Sequence, residues 1–206
     1  MKKWGTRCLR PTSMLAMAAL ILILPACGSS GGGGGGGGPG APTGSFATND
    51  AAAAPDLVRF GPASCTGDTC IVDILIGATT EGDYYAFAFD LVISDPTVAR
   101  FLVGTETAGD FLTGTADAIA AQVNDRVVVG VSKSGVDPGN GAGTETSVVK
   151  MMFQLLKVGD ATLTFSGSPA NPSLMNCSPT GPEAINAAGN CTLATTFGAG
   201  GTLSGS

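Results

Sequence analysis

The sequence has no histidine, one tryptophan and two tyrosines in 206 residues. Each shortage removes a class of activity. Without histidine, neither a Ser-His-Asp nor a Cys-His arrangement can form. No G-x-S-x-G elbow occurs between residues 55 and 206. The tryptophan, Trp4, lies near the start, and Tyr84 and Tyr85 are adjacent, so on a strand they point to opposite faces. A flat platform of several rings for stacking on crystalline polysaccharide cannot be built from that set. Basic residues are scarce as well. Of the ten, Lys2, Lys3, Arg7 and Arg10 precede residue 27, which leaves six against sixteen acidic residues and a formal charge of −10. Such a chain repels phosphate backbones, which sets nucleic acid aside as a partner. The longest apolar run, Met14 to Leu24, has 11 residues and is too short to span a bilayer.

That run follows a positive segment and is predicted to be an export signal. It ends in Leu24-Pro25-Ala26-Cys27, which resembles the lipobox of bacterial lipoproteins. The resemblance implies cleavage before Cys27 and lipid attachment to it, each buried methylene contributing roughly 0.8 kcal/mol to membrane binding. An ordinary secretory signal with a chance cysteine is the alternative. Gly28, where an aspartate is absent, is similar to the outer-membrane sorting class of Gram-negative lipoproteins. Eight consecutive glycines follow, Gly31 to Gly38, with no side chains to bury and the largest unfolded entropy of any residue. They read as a flexible tether. The expected organisation is a signal peptide at 1–26, a lipidated Cys27 and linker at 27–54, and one domain at 55–206. The chain is expected to be exported and membrane-anchored, on the outer membrane of a Gram-negative bacterium.

Beyond Cys8 and Cys27, four cysteines remain, an even number in an exported chain, which suggests disulfides. Three pairings are open. The favoured one joins Cys65 to Cys70 and Cys177 to Cys191, because both close local loops. In "CTGDTC" a Gly-Asp centre would turn a hairpin. The loop from Cys177 to Cys191 holds Pro179, Gly181, Pro182 and Gly189, and closing it contributes on the order of 3 kcal/mol in the chain-entropy model. Zinc is disfavoured by the spacing and the lack of histidine.

The domain reads almost entirely as strand. "DLVRFG" from Asp56, "TCIVDILIG" from Thr69 and "YYAFAFDLVI" from Tyr84 come first. In the third, Tyr85, Phe87, Phe89 and Leu91 form one large apolar face, assigned to the core. Tyr84, Ala86, Ala88 and Asp90 form a small face, either flat surface or packed closely on a neighbour. Asp95-Pro96 stops the strand, because proline has no ladder N–H. "TVARFLVG" resumes in extended form, "TADAIAAQV" reads as one or two helical turns, and "RVVVGVSK" is a strand. In "SVVKMMFQLLKVG", Val149, Met151, Phe153 and Leu155 share a face; in "ATLTFSG", Ala161, Leu163 and Phe165 do. The tail from Cys191 offers one or two more strands. The expected fold is all-β, a jelly-roll β-sandwich of about eight or nine strands.

Catalytic chemistry finds little to work with. Asp90 and Asp95 are candidates for a carboxylate pair only by nearness in sequence, and their structural reading is surface residue and turn former. "DPGNGAGTE", Asp137 to Glu145, has oxygen ligands and glycines but not the spacing of an EF-hand, so it reads as a plain loop. No metal site, cofactor or catalytic residue is assigned.

Three segments taken in order, "FDLVISDPTVARF", "VNDRVVVGVSKSG" and "SVVKMMFQLLKVGDATLTFSG", resemble cohesin modules and their carbohydrate-binding relatives. The carriers are an Asp-Pro corner after a strand, a strand leading to a Gly-rich loop, and an apolar strand passing through a glycine turn into the next. The likeness covers about Asp56 to Ser168. Cohesins bind dockerins, small modules that fold around calcium, so the resemblance implies a non-catalytic protein-binding role on one sheet face. Binding of a polysaccharide chain is the alternative, and a structural envelope lipoprotein is third.

Overall fold

The computed structural model describes residues 40–50, 53–80, 82–134, 139–166, 183–186, 188–189 and 195–206. Cys27, Cys177 and Cys191 lie outside the described residues, as do the whole expected signal peptide and the 27–54 linker up to residue 39. Among the described residues there are thirteen strands and no helix. They are β1 (Gly44–Thr48), β2 (Leu57–Thr66), β3 (Thr69–Ile76), β4 (Tyr84–Ile93), β5 (Ala99–Phe101), β6 (Thr107–Ala108) and β7 (Ala116–Val123). Then follow β8 (Arg126–Lys133), β9 (Thr146–Leu155), β10 (Gly159–Ser166), β11 (Glu183–Asn186), β12 (Thr196–Phe197) and β13 (Gly201–Gly205). The fold is an all-β sandwich. One sheet runs β1-β13-β10-β4-β8-β7, with β11 also on β4; the other runs β12-β2-β3-β9-β5, with β6 also on β9. The count exceeds eight or nine because β1, β11 and the two-residue ladders β6 and β12 carry too short a pattern to read.

The core is the inward set of both sheets. Val58, Phe60, Val72, Ile74, Val149, Met151 and Phe153 come from one sheet, and Phe87, Phe89, Leu91, Val127, Val129, Val131 and Leu163 from the other. All are buried, as the period-two pattern requires. Aromatic rings tie the layers together: Phe60 of β2 meets Phe46 of β1 at 5.7 Å and Phe165 of β10 at 4.7 Å. Phe89 of β4 meets Phe197 of β12 at 6.0 Å. Each such pair adds about 0.5–1.5 kcal/mol to the area it buries.

The Asp-Pro stop is the corner between the sheets. β4 ends at Ile93, and Ser94 still donates its N–H to the Thr162 carbonyl at 2.9 Å. The Asp95 carboxylate then accepts the Thr97 N–H (2.8 Å) and hydroxyl (2.6 Å), and the Val98 N–H closes the turn on the Asp95 carbonyl at 3.0 Å. Those bonds from Thr97 hold the Asp95 carboxyl below the usual aspartate range. The chain emerges as β5 in the opposite sheet.

Four expectations need correction. The folded domain begins before residue 55: β1 pairs with β13 from Gly44↔Gly205 to Thr48↔Gly201. Asp50 fastens its exit, accepting the N–H groups of Phe60 and Ala199. A five-residue strand with one aromatic beside a glycine run gives periodicity too little to register. "TADAIAAQV" is a strand, β7, not helical turns. It pairs with β8 along its whole length, Ala116↔Lys133 to Val123↔Arg126. Alanine suits either period, so the sheet edge decides. Tyr84 and Tyr85 exchange places: Tyr84 is fully buried and Tyr85 is half-buried. A register shift opposite Ile185 and Asn186 leaves Tyr85 unmatched on β11, which resets the alternation. Finally, Asp90 is 1% exposed and is no surface residue.

The "CTGDTC" hairpin forms as expected. Cys65 and Cys70 are bonded through sulfur across β2 and β3, and Gly67, at φ +58°, supplies the left-handed turn position. Pro62 is accommodated where the β2–β3 register shifts between Phe60 and Ala63.

Candidate binding face on the seven-stranded sheet

Three strands build the outer face. On β4 the outward positions are Ala86, Ala88, Asp90 and Val92, of which Ala86 and Asp90 are covered; on β8, Ser132, Gly130, Val128 and Arg126; on β7, Asp117, Ile119, Ala121 and Val123. Register places them in rows: Ala86–Ser132–Asp117, Ala88–Gly130–Ile119, Asp90–Val128–Ala121 and Val92–Arg126–Val123. This is the small face read from β4, now widened by two strands. Its centre is Gly130, and its relief comes from Ile119 (70% exposed) and Val123 (59% exposed).

Ile119 lies over the glycine. A Cβ on Gly130 would stand 3.3 Å from Ile119 Cγ1. A depression of about 350 Å³ opens on one side, lined by Glu106, Ile119, Ala121, Val128 and Gly130. Another of about 160 Å³ opens on the other, lined by Ala86, Ala88, Asp117, Ile119, Gly130 and Ser132. Both have almost wholly apolar walls. The charge beneath is paired: Asp90 Oδ2 accepts from Arg126 Nη1 at 3.2 Å.

The edge beside this face is closed by side chains. Glu106 accepts the N–H of Gly104 (2.9 Å) and of Ala120 on β7 (3.1 Å). Gln122 of β7 reaches across to accept the Phe101 N–H of β5 at 2.8 Å. Backbone groups that would otherwise template another strand are thus occupied on both sheets.

The outer face of the other sheet differs in kind. Arg59 makes a bidentate contact with Glu145 (2.6 and 2.8 Å). Arg100 donates to Gln154, whose amide donates to Asp68. Asp73 accepts the Ser147 hydroxyl; burial pushes its carboxyl up, more than that bond draws it down. These charged and polar groups satisfy one another, with Ile71 of β3 (42% exposed) the large apolar side chain exposed among them.

At the end of the sandwich near Tyr84, Asp56 sits at φ +56° and 3% exposure. Its carboxylate accepts the Thr80 N–H and hydroxyl and the Tyr84 hydroxyl at 2.7 Å, and Thr195 donates to Tyr84 Oη at 3.0 Å. Burial alone would raise this carboxyl, but the hydrogen bonds from Thr80 and Tyr84 hold it below the ordinary range. Tyr84 is thereby removed from any sugar-stacking role. Among the described residues no aromatic side chain is exposed.

Of the residues singled out from sequence, Asp90 and Asp95 each serve a structural bond, the first within β4 and the second in the corner beyond it. The described part of the Gly-rich loop, 139–145, is built into the fold: Asn140 pairs with Tyr84 through backbone bonds at 2.7 and 2.8 Å, and Glu145 holds Arg59. Ile119, Ala121 and Val123 were missed because β7 read as helical. A lone glycine inside the valine strand "RVVVGVSK" was the available signal, since it marks close approach of a neighbour.

No family model matches the sequence, and no curated protein matches it. Solved structures do. A type II cohesin domain from the cellulosome of Acetivibrio cellulolyticus is similar at 14% identity and a TM-score of 0.52, over 78% of this chain and 95% of that one. The second type II cohesin module from an adaptor scaffoldin of the same organism is similar at 16% identity and TM-score 0.51, over 70% and 87%. A chain of a type II cohesin–X-dockerin complex, also from that organism, is similar at 15% identity and TM-score 0.51, over 68% and 91%. At such identity the shared property is the fold. The domain has a cohesin-like β-sandwich fold.

Proposed function

We propose that this chain is a non-catalytic binding module that docks a dockerin-like protein partner on the outer face of β4, β8 and β7. One observation carries the reading: a flat surface of small residues with two apolar depressions astride Ile119, on a sheet whose fold-mates include a cohesin seen with an X-dockerin partner. Branched or long aliphatic side chains from a partner fit such hollows, and burying them supplies affinity at about 25 cal/mol per Å² before association costs. The −10 charge of the mature chain favours a partner with a basic rim. No catalytic step is assigned, since histidine is absent and Asp90 and Asp95 serve structure. A polysaccharide chain is the second reading, supported less because no aromatic side chain among the described residues is exposed.

The same proposal holds the module at the cell envelope by a lipid on Cys27, at the outer membrane, with the Gly-rich linker that follows it as the tether. A second disulfide, Cys177 to Cys191, belongs to it as well.

The test compares three immobilised mature chains in an extract of the source organism, eluted with a calcium chelator. These are the wild type, Ile119→Asp on the proposed face, and Lys150→Ala on the opposite sheet. The expected result is a chelator-released protein on wild type and Lys150→Ala that Ile119→Asp fails to retain. Equal capture by all three chains would remove the face from the proposal. Binding to polysaccharide alone would turn the reading to its rival.

A further inference from the structure

The Cys65–Cys70 bond has no part in the proposed face, which lies on the other sheet. It sits at the tip of the β2–β3 hairpin, and that tip touches the first residues of the domain. Gly44 donates its N–H to the Gly67 carbonyl at 2.6 Å. A Cβ on Gly44 would lie 3.1 Å from Cys70 Sγ and 2.8 Å from Leu155 Cδ1, so the entering chain passes directly over the disulfide. The tip is itself held in place: the Asp68 carbonyl accepts the Leu155 N–H at 2.7 Å, and Asp68 Oδ2 accepts from Gln154 at 2.8 Å. β1 is the outermost strand of its sheet, bonded on one side to β13, where Thr43 and Ser206 exchange bonds of 2.8 and 3.1 Å. The bond from Gly44 to Gly67 fastens it on the other side.

We infer that the Cys65–Cys70 disulfide is a redox-sensitive clasp on the N-terminal strand, governing how much chain is free beside the tether. Cys70 is buried, while Cys65 is half-buried and Gly67 exposed, so a reductant approaches from the Cys65 side. A dithiol reductant transfers two electrons and two protons. The S–S bond breaks, Cys65 and Cys70 become thiols, and the reductant closes its own disulfide. The strands leading into the turn lose their covalent tie, the Gly67 carbonyl loses its fixed position, and β1 frays from Gly44. Residues 40–48 then join the twelve residues 28–39. This last consequence rests on reading 28–39 as a tether; the clasp itself does not.

Amide hydrogen exchange on the mature chain tests it, comparing the oxidised wild type with Cys65→Ser/Cys70→Ser, which leaves Cys177 and Cys191 untouched. The expected result is exchange about tenfold faster at Gly44, Ser45 and Ala47, with Phe89 and Val129 unchanged within about twofold. Unchanged rates from Gly44 to Ala47 overturn the clasp. Equal acceleration at Phe89 and Val129 also overturns it, since the disulfide then serves the whole fold. If the double variant does not fold, the wild type is reduced with dithiothreitol under native conditions. Thiols at Cys65 and Cys70 are confirmed by mass, and the same two patterns decide.

Discussion

Replacing Tyr84 by Phe removes one buried oxygen near the end of the sandwich and leaves the ring in place. The ring stacks on Phe87 at 5.7 Å and meets Phe111 edge-on at 5.7 Å, and both contacts survive the change. What is lost is the hydroxyl's bond to Asp56 Oδ1 and the acceptor it offers Thr195. A hydrogen bond to a charged group contributes about 1.5–3 kcal/mol, and Thr80 still serves the carboxylate, so the expected loss is about 2 kcal/mol at pH 7. With a urea slope of roughly 2 kcal/mol/M, the midpoint falls by about 1 M and the slope stays constant. The pH dependence follows from the lowered Asp56 carboxyl. A depressed carboxyl contributes stability above its unfolded value, near 3.8, and loses that contribution as pH falls through the folded value. The gap between wild type and variant is therefore widest at neutral pH and narrows as pH falls below the unfolded value. Urea melts at pH 7 and pH 2.5 measure it. A loss under about 0.5 kcal/mol at pH 7, or a gap of the same size at both pH values, would refute the assignment of Tyr84 as a donor to an ionised Asp56.

Phe89→Ala should cost about 4 kcal/mol by the same melts, since it opens a cavity between Phe165 and Phe197 and unties two layers. Asp73→Asn should raise the urea midpoint at neutral pH and leave it unchanged at low pH. A carboxyl raised by burial is least favourable where it must ionise, and its penalty disappears as pH falls below its unfolded value. Cys27→Ala should leave the chain in the soluble fraction after membranes are pelleted; full membrane retention would end the lipid-anchor proposal.

The long strands were legible because their patterns are long. β9 buries Val149, Met151, Phe153 and Leu155, and β10 buries Ala161 and Leu163, as period two requires. The hairpin was legible from "CTGDTC", where turn chemistry and paired cysteines agree. The corner was legible because proline and aspartate act locally. What failed depended on neighbours. Tyr84 entered the core through a register irregularity against β11, a partner about a hundred residues away. Asp90 was hidden by Arg126 reaching from β8. β7 became a strand because β8 needed an edge partner, and its alanines fit that as readily as a helix. The candidate face was half visible: the small side of β4 raised the question, but the strands that complete it had to be paired first.

Gly130 separates folding from docking as causes of this face. A glycine inside a strand costs about 0.5–1 kcal/mol relative to alanine, so selection for stability alone would replace it. Space does not forbid the change. The nearest atoms to a new Cβ are Ile119 Cγ1 at 3.3 Å and Cδ1 at 3.7 Å, the outer part of a side chain that is 70% exposed and able to turn away. The backbone also permits it, because Gly130 is not among the residues with positive φ. Gly130→Ala should therefore hold or raise the unfolding midpoint. In the same protein, displacing Ile119 and raising the floor of both depressions should weaken partner capture by about tenfold. Loss of stability together with capture would mean that the glycine serves packing. Full capture by a stable variant would mean that the hollows beside Ile119 are not where the partner seats.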